Sequence, residues 1–299
     1  MNTLREVLRT ATQRLQQSGS DSARRDAELL LLHVLQRDAM WLYAHDDVAV
    51  TTDLQHAFEA LVQRREQGEP VAHLLGQRGF WTLDLSVNRH TLIPRPETEM
   101  LVEFALEKLL ANSVEAVLDL GTGSGAIALA VKRERPACAV TAVDASPDAL
   151  AVAHANARRL QLSVEFVSGH WFAPLSGRRF HLIVSNPPYI EASAIDGLMP
   201  EVARFEPREA LDGGPDGLAG GDDLFGGAAR EAFIEDAGIA RRDRKRRPLV
   251  RVCGTTDLAV SAVPGSAKTA DDGLRRTNGR LCHSPIIAYN VIPAIENSL

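Results

Sequence analysis

Apolar strands that alternate with helical sequence constrain the fold of this chain more than any other feature. Val117-Leu118-Asp119-Leu120 is a short apolar strand, and the glycine-rich turn Gly121-Thr122-Gly123-Ser124-Gly125 follows at once. Residues 126–132 then have helical character. Residues 139–143 form a second strand that ends at Asp144, and Pro147 suits the first turn of a helix running to about Leu160. Val164-Glu165-Phe166-Val167 is a third strand. Phe180-His181-Leu182-Ile183-Val184 is a fourth, stopping at Ser185-Asn186-Pro187-Pro188-Tyr189. This alternation implies an α/β fold with a parallel sheet and right-handed crossovers. Such sheets bind ligands at the carboxyl ends of their strands, near the point where strand order switches. The glycine turn, Asp144 and Asn186 each follow a strand's carboxyl end, so they are expected on one rim.

The segment before this sheet reads as helical. Leu4, Leu8 and Leu15 share a helical face, and Ala27, Leu30, Leu31 and Val34 repeat at amphipathic spacing. Asp53 is suited to cap a third helix through Leu54, Phe58, Leu61 and Val62, which Gly68 and Pro70 would end. Gly79-Phe80-Trp81 and the alternating Leu83, Leu85 and Val87 predict a strand or hairpin. Residues 1–75 are thus expected to form a small helical domain. Residues 76–92 are a hairpin linker, and residues 93–225 the sheet domain.

Charge narrows the function classes. The net charge of −6 divides into −2 for residues 1–92, −8 for 93–225 and +4 for 226–299. An acidic middle is a poor match to a phosphate backbone, so direct binding to nucleic acid is not expected. The three cysteines, Cys138, Cys253 and Cys282, have neither disulfide-framework nor metal-site spacing. His33, His45, His56 and His73 have no metal-ligand spacing either, so no metal is expected. No run approaches the length of a membrane helix. Arg5, Arg9 and Arg14 without an apolar core argue against a secretory signal. A cytoplasmic protein is expected.

The glycine turn alone does not decide the ligand. Gly121, Gly123 and Ala126 fit a dinucleotide fingerprint, but also a tight strand-to-helix turn. Asp144, 23 residues after Gly121, could accept from two ribose hydroxyls, which suits NAD and S-adenosylmethionine equally. It could equally sit at a helix N-terminus as a dipole partner. Asn186-Pro187-Pro188-Tyr189 separates the two ligands. Two prolines after a buried strand remove two N–H groups and stiffen the loop. The Asn186 amide oxygen and the carbonyl that follows can then accept both hydrogens of a planar –NH2 group, and Tyr189 can stack on its face. Such a device aims a nitrogen at an electrophile. It has no use at an NAD site.

Together, VLDLGTGSG, Asp144 and NPPY resemble the class I S-adenosylmethionine-dependent methyltransferases that act on nitrogen. LIPRPETE at residues 92–99, RREQGEPVAHLLGQRGF at 64–80 and the helical start narrow the resemblance further. They are similar to the bacterial HemK/PrmC family, the peptide-chain-release-factor glutamine methyltransferases, from about residue 20 to about 225. The resemblance implies a Rossmann-like methyltransferase sheet with a small N-terminal helical domain that recognises the substrate. Gly121, Thr122, Gly123, Ser124 and Gly125 would approach the methionine and ribose of the methyl donor. Asp144 would bind the ribose hydroxyls, and Trp171 would lie against the adenine. Asn186 and the carbonyl of Pro187 would accept from the substrate amide, with Pro188 in the same loop and Tyr189 beside the amide plane; Asn186 would also border the cofactor. A release factor is the implied partner, and a monomer is expected. Two alternatives remain: an amino-group methyltransferase for a nucleic-acid base, and a methyltransferase-fold protein inactivated by its tail.

The tail departs from the family. Pro207 to Leu211 and Asp216 to Gly221 still fit it, but the resemblance is lost after about Phe225. Residues 241–247 read RRDRKRR, and 255–279 lack periodicity. Only residues 248–253 read as a strand. A reading-frame change near residue 225 would account for both the lost pattern and the reversed charge. On this reading residues 226–299 are poorly packed and leave a sheet edge uncovered.

Overall fold

The computed structural model describes residues 2–112, 114–217 and 219, and the backbone of two strands at 249–256 and 284–290. The chain begins with five helices: α1 (Leu4–Gln17), α2 (Ala23–Leu35), α3 (Ala39–Ala44), α4 (Thr52–Glu66) and α5 (Val71–Leu75). A capping box starts α1, where Glu6 donates its N–H to the Thr3 hydroxyl and the Glu6 carboxylate accepts from the Thr3 N–H. Leu4, Leu8, Leu15, Leu30, Leu31, Phe58 and Val62 pack into one apolar cluster at the spacing the sequence predicts. Fully burying each such side chain stabilises the fold by about 1.5–3 kcal/mol.

Two details differ from the sequence reading. The short α3 intervenes, so the helix through Phe58 is the fourth. Its cap is Thr51, whose hydroxyl accepts from Leu54 N–H, and Asp53 lies within the first turn. Thr51 has the extended backbone a cap needs, whereas Asp53 is already helical.

β1 (Gln77–Phe80) and β2 (Leu83–Ser86) then pair as an antiparallel hairpin. The second sheet holds β3 (Ala116–Leu120), β4 (Ala139–Asp144), β5 (Glu165–Ser168) and β6 (Leu182–Ser185), with α6 (Glu99–Lys108), α7 (Ala126–Glu134) and α8 (Pro147–Leu160) along the chain. Its order is β5-β4-β3-β6-β8-β7, where β7 is Leu249–Thr256 and β8 is Ser284–Asn290. β3, β4, β5, β6 and β8 run parallel, and β7 is antiparallel to β8. Alternation along the strands divides the core. Val117, Val140, Ala142, Leu182 and Val184 face α6 and α7, and Leu118, Leu120, Val143 and Ile183 join Leu175 and Phe180 in a second cluster.

The strands of the tail correct the expectation of an uncovered edge. β8, absent from the sequence reading, pairs Ile286, Ile287 and Ala288 with Ile183, Val184 and Ser185. β7 extends the expected strand to Thr256 and pairs along β8. β6 is therefore an inner strand. Pro285 hides β8 in the sequence, because proline cannot donate to a ladder. The register of the pair shifts between Cys253 and Thr256, opposite this proline. The basic run at 241–247, and with it the poor packing and reading-frame change read for the tail, fall outside the described residues.

Candidate active site

The switch point lies where β4 and β6 flank β3. Leu120 pairs with Val143 on one side and Ser185 on the other. Gly121, Asp144 and Asn186 therefore leave the sheet at the same level on adjacent strands, as the sequence predicts. β5 ends level with Asp144, through its Ser168 partner.

The glycine turn owes its shape to left-handed backbone. Gly125, at φ +84°, starts α7, and a Cβ there would lie 3.0 Å from Leu129 Cδ1 and 3.3 Å from Ala153 Cβ. Gly121 and Gly123 also have positive φ, but an added Cβ would meet nothing within 4 Å. Their glycines serve the backbone angle and leave an open approach for a ligand. Thr122 is used by the fold itself. Its N–H donates to Val143 O, and its hydroxyl donates to Asp119 Oδ2 at 2.6 Å.

Asp119, on β3, is a residue whose role the sequence reading missed. Its Oδ2 also accepts from Ala128 N–H, whereas Oδ1 is buried without a hydrogen-bond partner. Burial pushes this carboxyl up to about 7, against the downward pull of Thr122 and Ala128. Asn156, on α8, was also missed. It is fully buried and bonds both the N–H and the carbonyl of Ser86 and the carbonyl of Ser124, joining the hairpin to the glycine turn. Nothing in the local pattern of α8 sets Asn156 apart from a solvent-facing asparagine.

Asp144 is half-buried and accepts from Gly123 N–H at 2.8 Å and Ser146 N–H at 2.9 Å. The carboxylate thus supports the start of α8, and each of its oxygens keeps a lone pair beyond these bonds. Trp171 lies after β5 with a φ of +46°. It packs on the cluster of Leu118, Leu120, Val143 and Ile183, whereas Tyr189 packs against the cluster on the other face of the sheet.

Asn186 follows β6. Its Nδ2 donates to Thr98 Oγ1 at 3.5 Å, and its Oδ1 is buried with no partner. The loop beyond it is clamped from below. Ile190 N–H donates to Leu211 O, and Gly213 N–H to Ile190 O. Gly213 and Gly217 approach so closely that a Cβ on either would lie under 3.0 Å from Tyr189 backbone atoms. This gives a task to Leu211 and Gly217, within the stretches Pro207 to Leu211 and Asp216 to Gly221 that the sequence matches to the family without assigning one. Glu206, the buried acid just before Pro207, accepts from Ile93 N–H and pairs with Arg95 at 2.5 Å. Burial raises the Glu206 carboxyl above its ordinary value, and Arg95 opposes this.

Five buried side-chain polar atoms lack a partner among the described residues, and three of them, Asp119 Oδ1, Ser124 Oγ and Asn186 Oδ1, belong to the end of β3, the glycine turn and the loop after β6. A buried polar atom without a partner costs about 1–3 kcal/mol. Their concentration here fits a polar ligand with several hydrogen-bonding groups. No group of three metal-ligating side chains occurs among the described residues, and no described helix is long and apolar enough to cross a membrane.

Comparison with known proteins gives this arrangement a family. Residues 6–76 match the family described as the PrmC N-terminal domain, and residues 97–203 match the methyltransferase small domain. The first match begins well before residue 20, where the motifs become legible. The release factor glutamine methyltransferase of Vibrio cholerae is 48% identical over 73% of this chain and 76% of its own length. That of Xylella fastidiosa is 50% identical over 71% and 74%, and that of Escherichia coli 46% over 71% and 76%. At this identity and coverage, the chain that carries this strand-end rim belongs to the release factor glutamine methyltransferase family.

Proposed function

We propose that this chain transfers a methyl group from S-adenosylmethionine to the side-chain amide nitrogen of the glutamine in the Gly-Gly-Gln motif of peptide chain release factors. The observation that carries the reading is the Asn186 amide, whose oxygen is buried without a partner while its nitrogen is held by Thr98.

When bound, S-adenosylmethionine supplies a methyl group on a sulfonium, already a strong electrophile. The backbone at Gly121 and Gly123 leaves room for that ligand to approach, and Gly125 sets the turn that starts α7. Asp144 would hold it by accepting from its ribose hydroxyls, and Trp171 would hold its adenine. The task of the remaining residues is to prepare a poor nucleophile, because the lone pair of an amide nitrogen is delocalised into its carbonyl. Asn186 Oδ1 and the Pro187 carbonyl accept the two N–H hydrogens, which raises electron density on nitrogen and sets its direction. Pro188 stiffens the loop, and Tyr189 flanks the amide plane. The amide nitrogen would take the methyl group as the sulfur–carbon bond breaks to leave a neutral thioether, and the nitrogen, then cationic, would give its proton to water without a strong base. Positioning and fixed dipoles supply most of the barrier reduction, a single oriented bond of this kind being worth roughly 10²–10³ in rate.

In this reading residues 1–75 recognise the release factor, 76–92 link, and 93–225 carry the chemistry, in a cytoplasmic monomer. The acidic middle of the chain weighs against a nucleic-acid base as acceptor. Incubation of the full chain with methyl-labelled S-adenosylmethionine and a purified release factor, followed by peptide mass mapping, tests the proposal. One methyl group on the Gly-Gly-Gln glutamine is expected. An unlabelled glutamine, or label in added nucleic acid instead, overturns it.

A further inference from the structure

Thr98 closes a 3-10 turn, Pro96–Thr98, and immediately precedes α6. A threonine at a helix start usually turns its hydroxyl onto a backbone N–H two or three residues on. Thr98 makes no such bond, because its own backbone is already helical at φ −67° and ψ −19°. The side chain is buried, and its hydroxyl is the group that accepts from Asn186 Nδ2.

A side-chain amide has two ends of opposite hydrogen-bonding character. With Nδ2 facing the Thr98 hydroxyl at 3.5 Å, Oδ1 is the end left to meet an incoming –NH2 group. Turned over, the same side chain would present N–H donors to N–H donors. The residues around Thr98 hold it still. Thr98 N–H donates to Arg95 O at 3.0 Å, and Arg95 is paired to the buried Glu206. On the other side, Glu99 accepts from Trp81 N–H at 2.8 Å. The Arg-Pro-Glu-Thr-Glu stretch thus ties the hairpin and the 206 segment to one point, and at that point stands the hydroxyl facing Asn186.

We propose that Thr98 is a positioning residue for methyl transfer, whose hydroxyl keeps the Asn186 amide turned with its oxygen toward the acceptor nitrogen. The proposal rests on the reading of Asn186 given above. Thr98→Val, Thr98→Ala and Thr98→Ser test it in the full chain, with kcat and KM for methylation of a purified release factor and S-adenosylmethionine binding by calorimetry. The Val and Ala variants are expected to bind S-adenosylmethionine normally and to lose about tenfold or more in kcat. The Ser variant restores the hydroxyl and stays within about twofold of wild type in kcat, since the oriented bond is retained. Wild-type kcat in either hydroxyl-free variant with intact binding overturns the proposal. Loss of binding in both makes Thr98 structural and overturns it equally. A wild-type chain that leaves the glutamine unmethylated fails at an earlier step and removes the functional reading itself.

Discussion

Gly123 donates its backbone N–H to Asp144 Oδ2 at 2.8 Å, so the glycine turn and the carboxylate at the end of the neighbouring strand form one unit. Asp144→Ala removes the brace on the turn and, in the proposed function, the acceptor for the ribose hydroxyls. S-adenosylmethionine binding should weaken by about 1.5–3 kcal/mol, the worth of a hydrogen bond to a charged group. Calorimetry measures this, and unchanged affinity would refute the assignment.

The glycines of the turn should separate into two kinds. Gly125→Ala combines a left-handed backbone with a Cβ 3.0 Å from Leu129, and about 1–3 kcal/mol of stability should be lost. Gly121→Ala meets no neighbour within 4 Å, so its cost is backbone strain alone. Its new methyl group points into the open approach and should weaken S-adenosylmethionine binding more than it weakens the fold. Urea unfolding and ligand titration on both variants check this. Equal effects in both assays would contradict it.

Arg95→Ala leaves Glu206 buried beside the Ile93 N–H without its counter-charge. Breaking a buried pair costs about 3 kcal/mol, or somewhat less here because Arg95 is 33% exposed. Burial already raises the Glu206 carboxyl above its ordinary value, and losing Arg95 raises it further. A raised folded-state value means stability present at low pH and lost as pH rises. The cost of Arg95→Ala should therefore be larger at pH 8 than at pH 5 by urea unfolding. The same cost at both would show that the pair is not electrostatically coupled.

Asp119 makes a second pH prediction. Its carboxyl titrates near 7 in the fold, against an ordinary 3.8. The folded chain keeps this proton while the unfolded chain has lost it, so this contribution to stability is full below 3.8 and gone above about 7. Asp119→Asn has no such titration. Its stability relative to wild type should improve steadily across that window, and parallel pH profiles would contradict the burial argument.

The elements with strong local patterns were legible in the sequence. The helix faces of Leu4 to Leu15 and Ala27 to Val34 obey a local period, and strands of the 117–120 kind are apolar runs bounded by turn chemistry. The rim was legible because a parallel sheet puts every strand's carboxyl end on one side. What was missed depends on distant partners. Asn156 bonds Ser86 and Ser124, and Glu206 bonds Ile93 across 113 positions. β8 exists through pairing with β6 and β7, and its sequence shows only a short apolar run, Ile286 to Tyr289, after a proline. The capping error at Asp53 arose because threonine and aspartate both cap well, and backbone angle decides between them.

In the proposed mechanism the buried Asn186 oxygen orients the acceptor amide. Asn186→Ala in the full chain, measured by single-turnover methylation of a release factor and by S-adenosylmethionine binding, tests it most directly. Methyl transfer should fall by about 10² or more while S-adenosylmethionine affinity is retained. Near-normal transfer by a variant that binds S-adenosylmethionine as tightly as wild type would contradict the account.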